Sequence, residues 1–315
     1  MLRLIGSRLL AVVPLLLIAT AITFSLVFLI PGDPAHRIAG ESATPEQVEM
    51  VRQELGLDQP VVVQYVNFLT GLVQGDLGTS FTYKAPVLDM IVDRIPVTLS
   101  LAVVSVIVAL LIGIPAGIVG GSRPGSWQDR VAGVGSTLGV ATPNFVLALL
   151  LVLLFAMNLK VLPATGYTPL AKGLWPWLSH LLLPAIALGV AAAAEIARQL
   201  RSSMIDVMQQ DYIRTATAKG LPRRTVLVKH ALKNAFIPTA TVLGMQIAFL
   251  LGGTAVIESV FGLKGLGDLA IQAVLSGDLP TIQGVVIFGV LATVVMSLLV
   301  DISYGYLNPK TRRAA

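Results

Sequence analysis

Residues 211–238 read DYIRTATAKGLPRRTVLVKHALKNAFIP, a basic stretch wedged between two apolar runs. Residues 212–219 form a helix-compatible segment rich in small side chains, with Gly220 placed to end it in a left-handed turn and Pro222 placed to prevent its resumption. A second helical run, residues 224–237, puts Leu227, Ala231 and Ala235 on one face at intervals of four, and Lys229 and Lys233 on another. Two short amphipathic helices on either side of a sharp break make a surface knob. On this stretch alone, a docking element and a basic connection that only enforces membrane topology both remain open.

The surroundings of the knob define the fold class. The chain is 55% hydrophobic and 12% charged over 315 residues, a composition of polytopic membrane proteins. Six apolar runs, residues 9–30, 96–119, 134–157, 181–200, 236–257 and 282–300, approach or reach the roughly 20 residues that cross a bilayer. The expected fold is all-α with six transmembrane helices. The first run is too long for a signal-peptide core, and Ala19-Thr20-Ala21, which looks like a cleavage site, lies inside it.

Charge gives an orientation. With both termini cytoplasmic, 15 of the 22 Lys and Arg residues but only 5 of the 17 Asp and Glu residues fall on the inner side. The net charge of +5 is thereby accounted for by sidedness, without a nucleic-acid partner.

Absences narrow the chemistry. There is no cysteine, and His36, His180 and His230 fall in separate loops, so no metal site is expected. No Gly-Lys dipeptide occurs, hence no phosphate-binding loop, and the chain is not expected to be an enzyme that hydrolyses ATP. Apart from the fourth, the spans hold no Asp, Glu, Lys or Arg, whereas proton-coupled carriers use such groups. Energy is therefore expected to arrive from a partner, through the knob.

The connection between the first two spans, residues 31–95, is too long for a simple loop and reads as an external subdomain. Thr44, Pro45 and Gln47 form a capping box with proline at the first helical position, and Gly56 ends that helix. Gly75 to Phe81 reads as a structural turn in preference to a ligand site. Within the membrane, Ser136, Thr142, Asn144, Met245, Gln246 and Thr254 are candidates for lining a passage, although packing and hydrogen bonding between helices is the preferred reading for each taken singly. Pro115, Pro143, Pro184 and Pro238 are placed to kink spans. Glu195 and Arg198, three apart, read as a modest surface pair.

An ordered set of short motifs carries a resemblance. Pro31-Gly32-Asp33-Pro34 is followed by Gln64-Tyr65, Gly75-Asp76-Leu77-Gly78-Thr79-Ser80-Phe81, Pro86-Val87 and Arg94-Ile95-Pro96-Val97-Thr98-Leu99. Then come Thr142-Pro143-Asn144-Phe145, Leu162-Pro163-Ala164-Thr165-Gly166, Leu183-Pro184-Ala185, the 211–238 loop and Gly262-Leu263-Lys264-Gly265-Leu266-Gly267. From end to end the chain resembles the permease subunits of the dipeptide and oligopeptide ATP-binding cassette importers, specifically the first of the two dissimilar permeases.

That resemblance implies a type I importer permease fold in a prokaryotic plasma (inner) membrane. Residues 1–30 would hold the cytoplasmic N-terminus and first span, 31–95 the external subdomain, and 96–307 a five-helix core with a coupling loop at 202–235. Residues 308–315 would form a cytoplasmic tail, its basic residues suited to membrane lipid. Asp211, Tyr212, Arg214, Thr215, Ala216, Ala218, Lys219 and Gly220 would meet the ATPase subunit, and Ser136, Asn144, Met245 and Gln246 the substrate. The wider permease signature opens Glu-Ala-Ala where this chain has Arg214-Thr215-Ala216, a departure typical of the peptide branch. Implied partners are a second permease, two ATPase domains (separate or fused) that bind ATP and Mg, and an extracytoplasmic binding protein that delivers peptide. No cofactor is implied in this chain. The external subdomain would help receive the binding protein or simply cap the spans. Nickel chelates, glutathione or haem are alternative solutes, and an ATPase-independent channel or scaffold is the alternative of a different class.

Overall fold

The computed structural model describes residues 13–25, 34–40, 43–54, 56–252 and 254–307. Among these the fold is all-α, with one isolated bridge between Thr79 and Pro86. A short apolar helix α1 (Val13–Ser25) precedes three helices of the outer segment, α2 (Pro34–Ala39), α3 (Pro45–Glu54) and α4 (Val61–Val73). The bundle proper comprises α5 (Val87–Ser122), α6 (Trp127–Ala141), α7 (Asn144–Leu151) and α8 (Leu174–Met208). After α9 (Asp211–Ala218) and the single turn α10 (Arg223–Thr225) come α11 (Lys233–Gly252), α12 (Ala255–Val260), α13 (Leu266–Ser276) and α14 (Leu279–Leu307).

The capping box forms as its spacing predicts. The Thr44 backbone N–H donates to Gln47 Oε1 at 2.9 Å and the Gln47 N–H donates to Thr44 Oγ1 at 3.3 Å. α4 lies along α1, with Tyr65 and Thr20 sharing a hydrogen bond at 3.0 Å and the Phe24 ring 5.3 Å from that of Tyr65.

α5 and α8 are the axis of the bundle. At 1.5 Å per residue their 36 and 35 residues extend over about 50 Å, well beyond a hydrocarbon core of about 30 Å. Gly113, Gly117 and Gly121 of α5 lie one turn apart and receive Ile196, Leu200 and Met204 of α8, also one turn apart. A Cβ at any of these glycines would collide with the facing helix, at 2.7 Å from Ala193 O, 2.7 Å from Leu200 Cβ and 2.4 Å from Met204 Cβ respectively. Gly189 of α8 reciprocates toward Val108. Lipid tails offer apolar contact as freely as leucine does, so close backbone approach through small residues supplies the association. Leu99, Val103, Ile107 and Leu111 form the opposite, exposed stripe of α5.

Among the described residues, three helices are long and apolar enough to cross a membrane, α5, α8 and residues Leu279–Leu299 of α14, or up to four with the bent pair Trp127–Ala141 and Asn144–Asn158. The six expected runs are therefore not reproduced as six unbroken helices. The third bends by 101° between residues 141 and 144, because Pro143 cannot donate into a helix and holds Thr142 extended at ψ 120°. The fifth, expected over residues 236–257, is interrupted at Thr254, which is outside any helix between α11 and α12. Of the first, only Val13–Ser25 lies within the described residues, and the 308–315 tail lies outside them. Pro115, Pro184 and Pro238 sit inside α5, α8 and α11. The three histidines occupy helices, not loops: His36 is in α2, His180 in α8 and His230 in the π-helical turn Val226–Leu232.

Candidate coupling surface

α9 is built with two unlike faces. Ile213 and Ala216 are buried, joining Leu200 and Met204 of α8 and Val226, Ala231 and Ala235 of the following segment, with Ile114 and Ile118 of α5 packed alongside. Asp211, Tyr212, Arg214, Thr215, Ala218, Lys219 and Gly220 are exposed. Of the eight residues expected at a partner surface, Ala216 instead lies underneath and docks the helix onto its stem. Thr215 Oγ1 donates to the Asp211 carbonyl at 2.9 Å, so that hydroxyl is already engaged. The Asp211–Arg214 pair, 3.6 Å apart and almost fully solvated, adds little to stability.

The helix ends as its sequence dictates. Gly220 has φ +76°, its N–H donates to the Thr217 carbonyl at 3.0 Å, and the Leu221 N–H reaches the Ala216 carbonyl at 3.4 Å. These two bonds are the Schellman arrangement, which needs a left-handed residue at the position Gly220 holds. Nothing stands within 4 Å of where its Cβ would be, so backbone conformation, not space, selects glycine.

Two tethers fix the knob. Arg223 Nη2 donates to the Ser122 carbonyl at the end of α5 (3.0 Å), and Asn234 Nδ2 donates to the Tyr212 hydroxyl (2.9 Å). The run expected over residues 224–237 is one continuous helix from Arg223 into α11, wound as a π-helix over Val226–Leu232. Wider winding moves the repeat from four to five residues, so Val226 shares the buried face with Ala231, while Leu227 is only half-buried.

Beneath the knob, Asp129 of α6 is buried against Arg201 of α8. Arg201 Nη2 donates to Asp129 Oδ2 at 2.9 Å, Arg201 Nε donates to Oδ1, and the Gly125 N–H donates to Oδ2 at 2.9 Å. Gly120 leaves room for the pair, since a Cβ there would lie 3.2 Å from Asp129 Oδ1. Partners 72 residues apart give no local signal in the sequence. The Glu195–Arg198 pair forms as its spacing suggests.

At the far end of α5, Thr98 stands about 36 Å from Ser122 along the helix. There the motifs that looked separate in the sequence converge on two buried carboxylates. Glu258 of α12, fully buried, accepts from Thr98 Oγ1 (2.8 Å), Thr254 Oγ1 (2.8 Å) and the Asp268 N–H (2.9 Å). Gly265 permits this, because a Cβ there would fall 2.4 Å from the Glu258 carboxyl carbon, and Gly267 rests its backbone against Ala255. Arg94 bridges to Asp268 at 3.1 Å, and the Gly166 N–H donates to the Phe261 carbonyl at 2.9 Å. Asp278, also fully buried, accepts from Ser80 Oγ, from the Phe81 N–H (3.0 Å) and from Thr281 Oγ1 (2.8 Å). The Gly75 to Phe81 segment is thus a turn clasped to the start of α14. Sequence reasoning missed Glu258, although a lone carboxylate among Ala255, Val256, Ile257 and Val260 is a visible signal.

The passage candidates are dispersed. Ser136 and Asn144 flank the α6–α7 bend, whereas Met245 and Gln246 lie on α11, which packs chiefly on α8 and α14. A cavity of about 430 Å³ beside Thr98, Thr254, Phe288 and Met296 contains none of the four. Ser136 lines a different cavity, between α6 and α8.

Comparison with known proteins agrees with this architecture. Residues 113–313 match the family described as binding-protein-dependent transport system inner membrane component, and residues 1–102 match its N-terminal companion. A putative peptide transport system permease protein of Brucella abortus (strain 2308) is 44% identical over 312 residues, covering 99% of each chain. The glutathione transport system permease protein GsiC of Escherichia coli O6:H1 is 40% identical over 312 residues, again covering 99% of both. Among solved structures, the inward-facing MetNI methionine ABC transporter matches 70% of this chain and 96% of its own with TM-score 0.57 at 18% identity. An amino acid ABC transporter matches 69% of this chain and 94% of its own with TM-score 0.52, also at 18% identity. With the fold of an ABC-importer permease and full-length relatives at these identities, the chain belongs to the family of inner-membrane components of binding-protein-dependent transport systems.

Proposed function

We propose that this permease forms half of the translocation pathway of an ATP-driven importer of short peptides, and that α9 is where ATPase closure enters it. The two-faced build of α9 carries the reading. One side is locked onto the α5–α8 stem by Ile213 and Ala216, and the other side, with Asp211, Arg214, Thr215, Ala218 and Lys219, is solvated, its only side-chain hydrogen bond from another element among the described residues being that of Asn234 to the Tyr212 hydroxyl. A helix held so by its stem moves α8 when it is pushed. The names of the full-length relatives support a short peptide, a class that includes the tripeptide glutathione.

In this account a binding protein delivers peptide at the end where residues 31–95 lie, and two ATPase domains bind ATP and Mg at the other. ATP shifts the permease between conformations only through unequal affinity for them. The chain supplies no catalytic group of its own to hydrolysis. The excess of Lys and Arg around α9 supports a cytoplasmic location for it, with both termini on the same side. Ser136, Asn144, Met245 and Gln246 are retained as pathway candidates, since peptides of varied sequence suit adaptable side chains over fixed charges.

Purification of the tagged chain from its own membranes in mild detergent, with mass spectrometry of co-purifying chains, tests the reading. It requires an ATPase and a second permease in stoichiometric amounts. Recovery of this chain alone, under conditions that preserve such complexes, would replace it with the channel or scaffold alternative.

A further inference from the structure

Between α6 and α8, at the end of the bundle that carries α9, lies a cavity of about 720 Å³ lined by Asp129, Arg130, Ser136, Thr137, Arg198 and Arg201, among others. Its charges do not balance. Arg201 is held by Asp129 and Arg198 by Glu195, whereas the Arg130 guanidinium has no ion pair or hydrogen bond among the described residues. Three guanidinium groups against two carboxylates leave one positive charge, carried by a planar fork of five donors. The Ser136 hydroxyl, also unengaged among the described residues, offers a further donor.

The flank of the cavity is apolar. Trp127, Val131, Val134 and Leu138 stand 60% or more exposed on α6, spaced three or four residues apart, so they form one stripe running from the helix start. Trp127 opens that stripe, and exposed tryptophan at a helix end is characteristic of the headgroup level of a bilayer. A single surplus arginine at the headgroup level, with apolar surface leading away from it, matches a monoanionic phosphodiester joined to acyl chains. A peptide substrate would have no use for the outward stripe.

We propose that this groove binds a phosphate monoanion, supplied by an anionic phospholipid. Arg130 is its main ligand, Arg198 flanks it, and the acyl chains lie along Val134 and Leu138. Such a lipid would wedge α6 against α8 beside the Asp129–Arg201 pair. The site is independent of the coupling role assigned to α9.

Native mass spectrometry of the intact transporter in detergent tests this, with phosphatidylglycerol, phosphatidylcholine or inorganic phosphate added separately. Phosphatidylglycerol should be retained over phosphatidylcholine. Arg130→Gln should reduce that retention about fivefold, the worth of one basic residue near an anionic surface, while Arg130→Lys keeps most of it. The Arg130 guanidinium has no partner among the described residues, so both variants should assemble normally; an unchanged elution profile and unchanged phosphatidylcholine adducts check this. Equal retention of the two lipids, or full retention of phosphatidylglycerol by an assembled Arg130→Gln complex, would overturn the site. Arg130-dependent retention of inorganic phosphate with no preference for phosphatidylglycerol over phosphatidylcholine would support the phosphate chemistry and overturn the lipid as its source.

Discussion

Gly121 of α5 and Met204 of α8 meet so closely that a Cβ on the glycine would stand 2.4 Å from the Met204 Cβ. Met204 in turn belongs to the cluster that buries Ile213 and Ala216, so the tightest point of the stem lies directly under α9. In the coupling account proposed above, force applied to α9 would reach α8 through these packed side chains. Gly121→Val should overpack this contact and destabilise the chain by about 1–3 kcal/mol, read as a lowered midpoint of thermal unfolding in detergent. An unchanged midpoint in Gly121→Val would mean the helices are not seated this closely.

Glu258 accepts three hydrogen bonds in a fully buried position. Glu258→Ala leaves the Thr98 and Thr254 O–H groups and the Asp268 N–H without the acceptor they have now, at about 1–3 kcal/mol for each unsatisfied donor. Glu258→Gln keeps an acceptor for the two hydroxyls but turns an amide donor toward the Asp268 N–H, so its loss should be smaller. Thermal midpoints ordered wild type, Gln, Ala are expected. Equal midpoints for Ala and wild type would remove Glu258 as the tie between α5, α12 and α13.

The turn after α9 offers a test of conformation against bulk. Gly220 holds φ +76° in open space, so Gly220→Val is penalised by backbone strain alone, about 1–2 kcal/mol for a left-handed L-residue. Asparagine tolerates that region better. Transport in vesicles should be abolished or nearly so in Gly220→Val, with membrane insertion intact, and largely kept in Gly220→Asn. Normal transport by the valine variant would remove the turn from the coupling account.

Much of the knob was legible because its signals are local. Gly220 and Pro222 mark the break, and Thr44 with Gln47 marks the start of α3, each through chemistry confined to a few residues. The motif list pointed to the family but not to what the motifs do. Thr98 and Glu258 are 160 residues apart and Ser80 and Asp278 are 198 apart, so their pairing is set by how the helices stack. The face assigned to residues 224–237 shifted for a related reason. A π-helical turn arises where packing of Val226 and Ala231 outweighs regular hydrogen bonding, and a four-residue repeat cannot reveal it. Of the six apolar runs, those over residues 96–119, 181–200 and 282–300 fall in helices long enough to cross a membrane, whereas the bend at Pro143 and the interruption at Thr254 divide two of the others.

The central claim, that the exposed face of α9 meets an ATPase, can be tested directly because the chain contains no cysteine. Single cysteines at Ala218 (exposed) and Ala216 (buried) would be introduced into the intact transporter in native membranes and treated with a short photoactivatable thiol cross-linker. The account predicts cross-linking to the ATPase subunit from Ala218→Cys, with a yield that changes on adding ATP, and little from Ala216→Cys. Absence of a cross-link from Ala218→Cys in a complex that retains its ATPase, or equal yields from both positions, would contradict it.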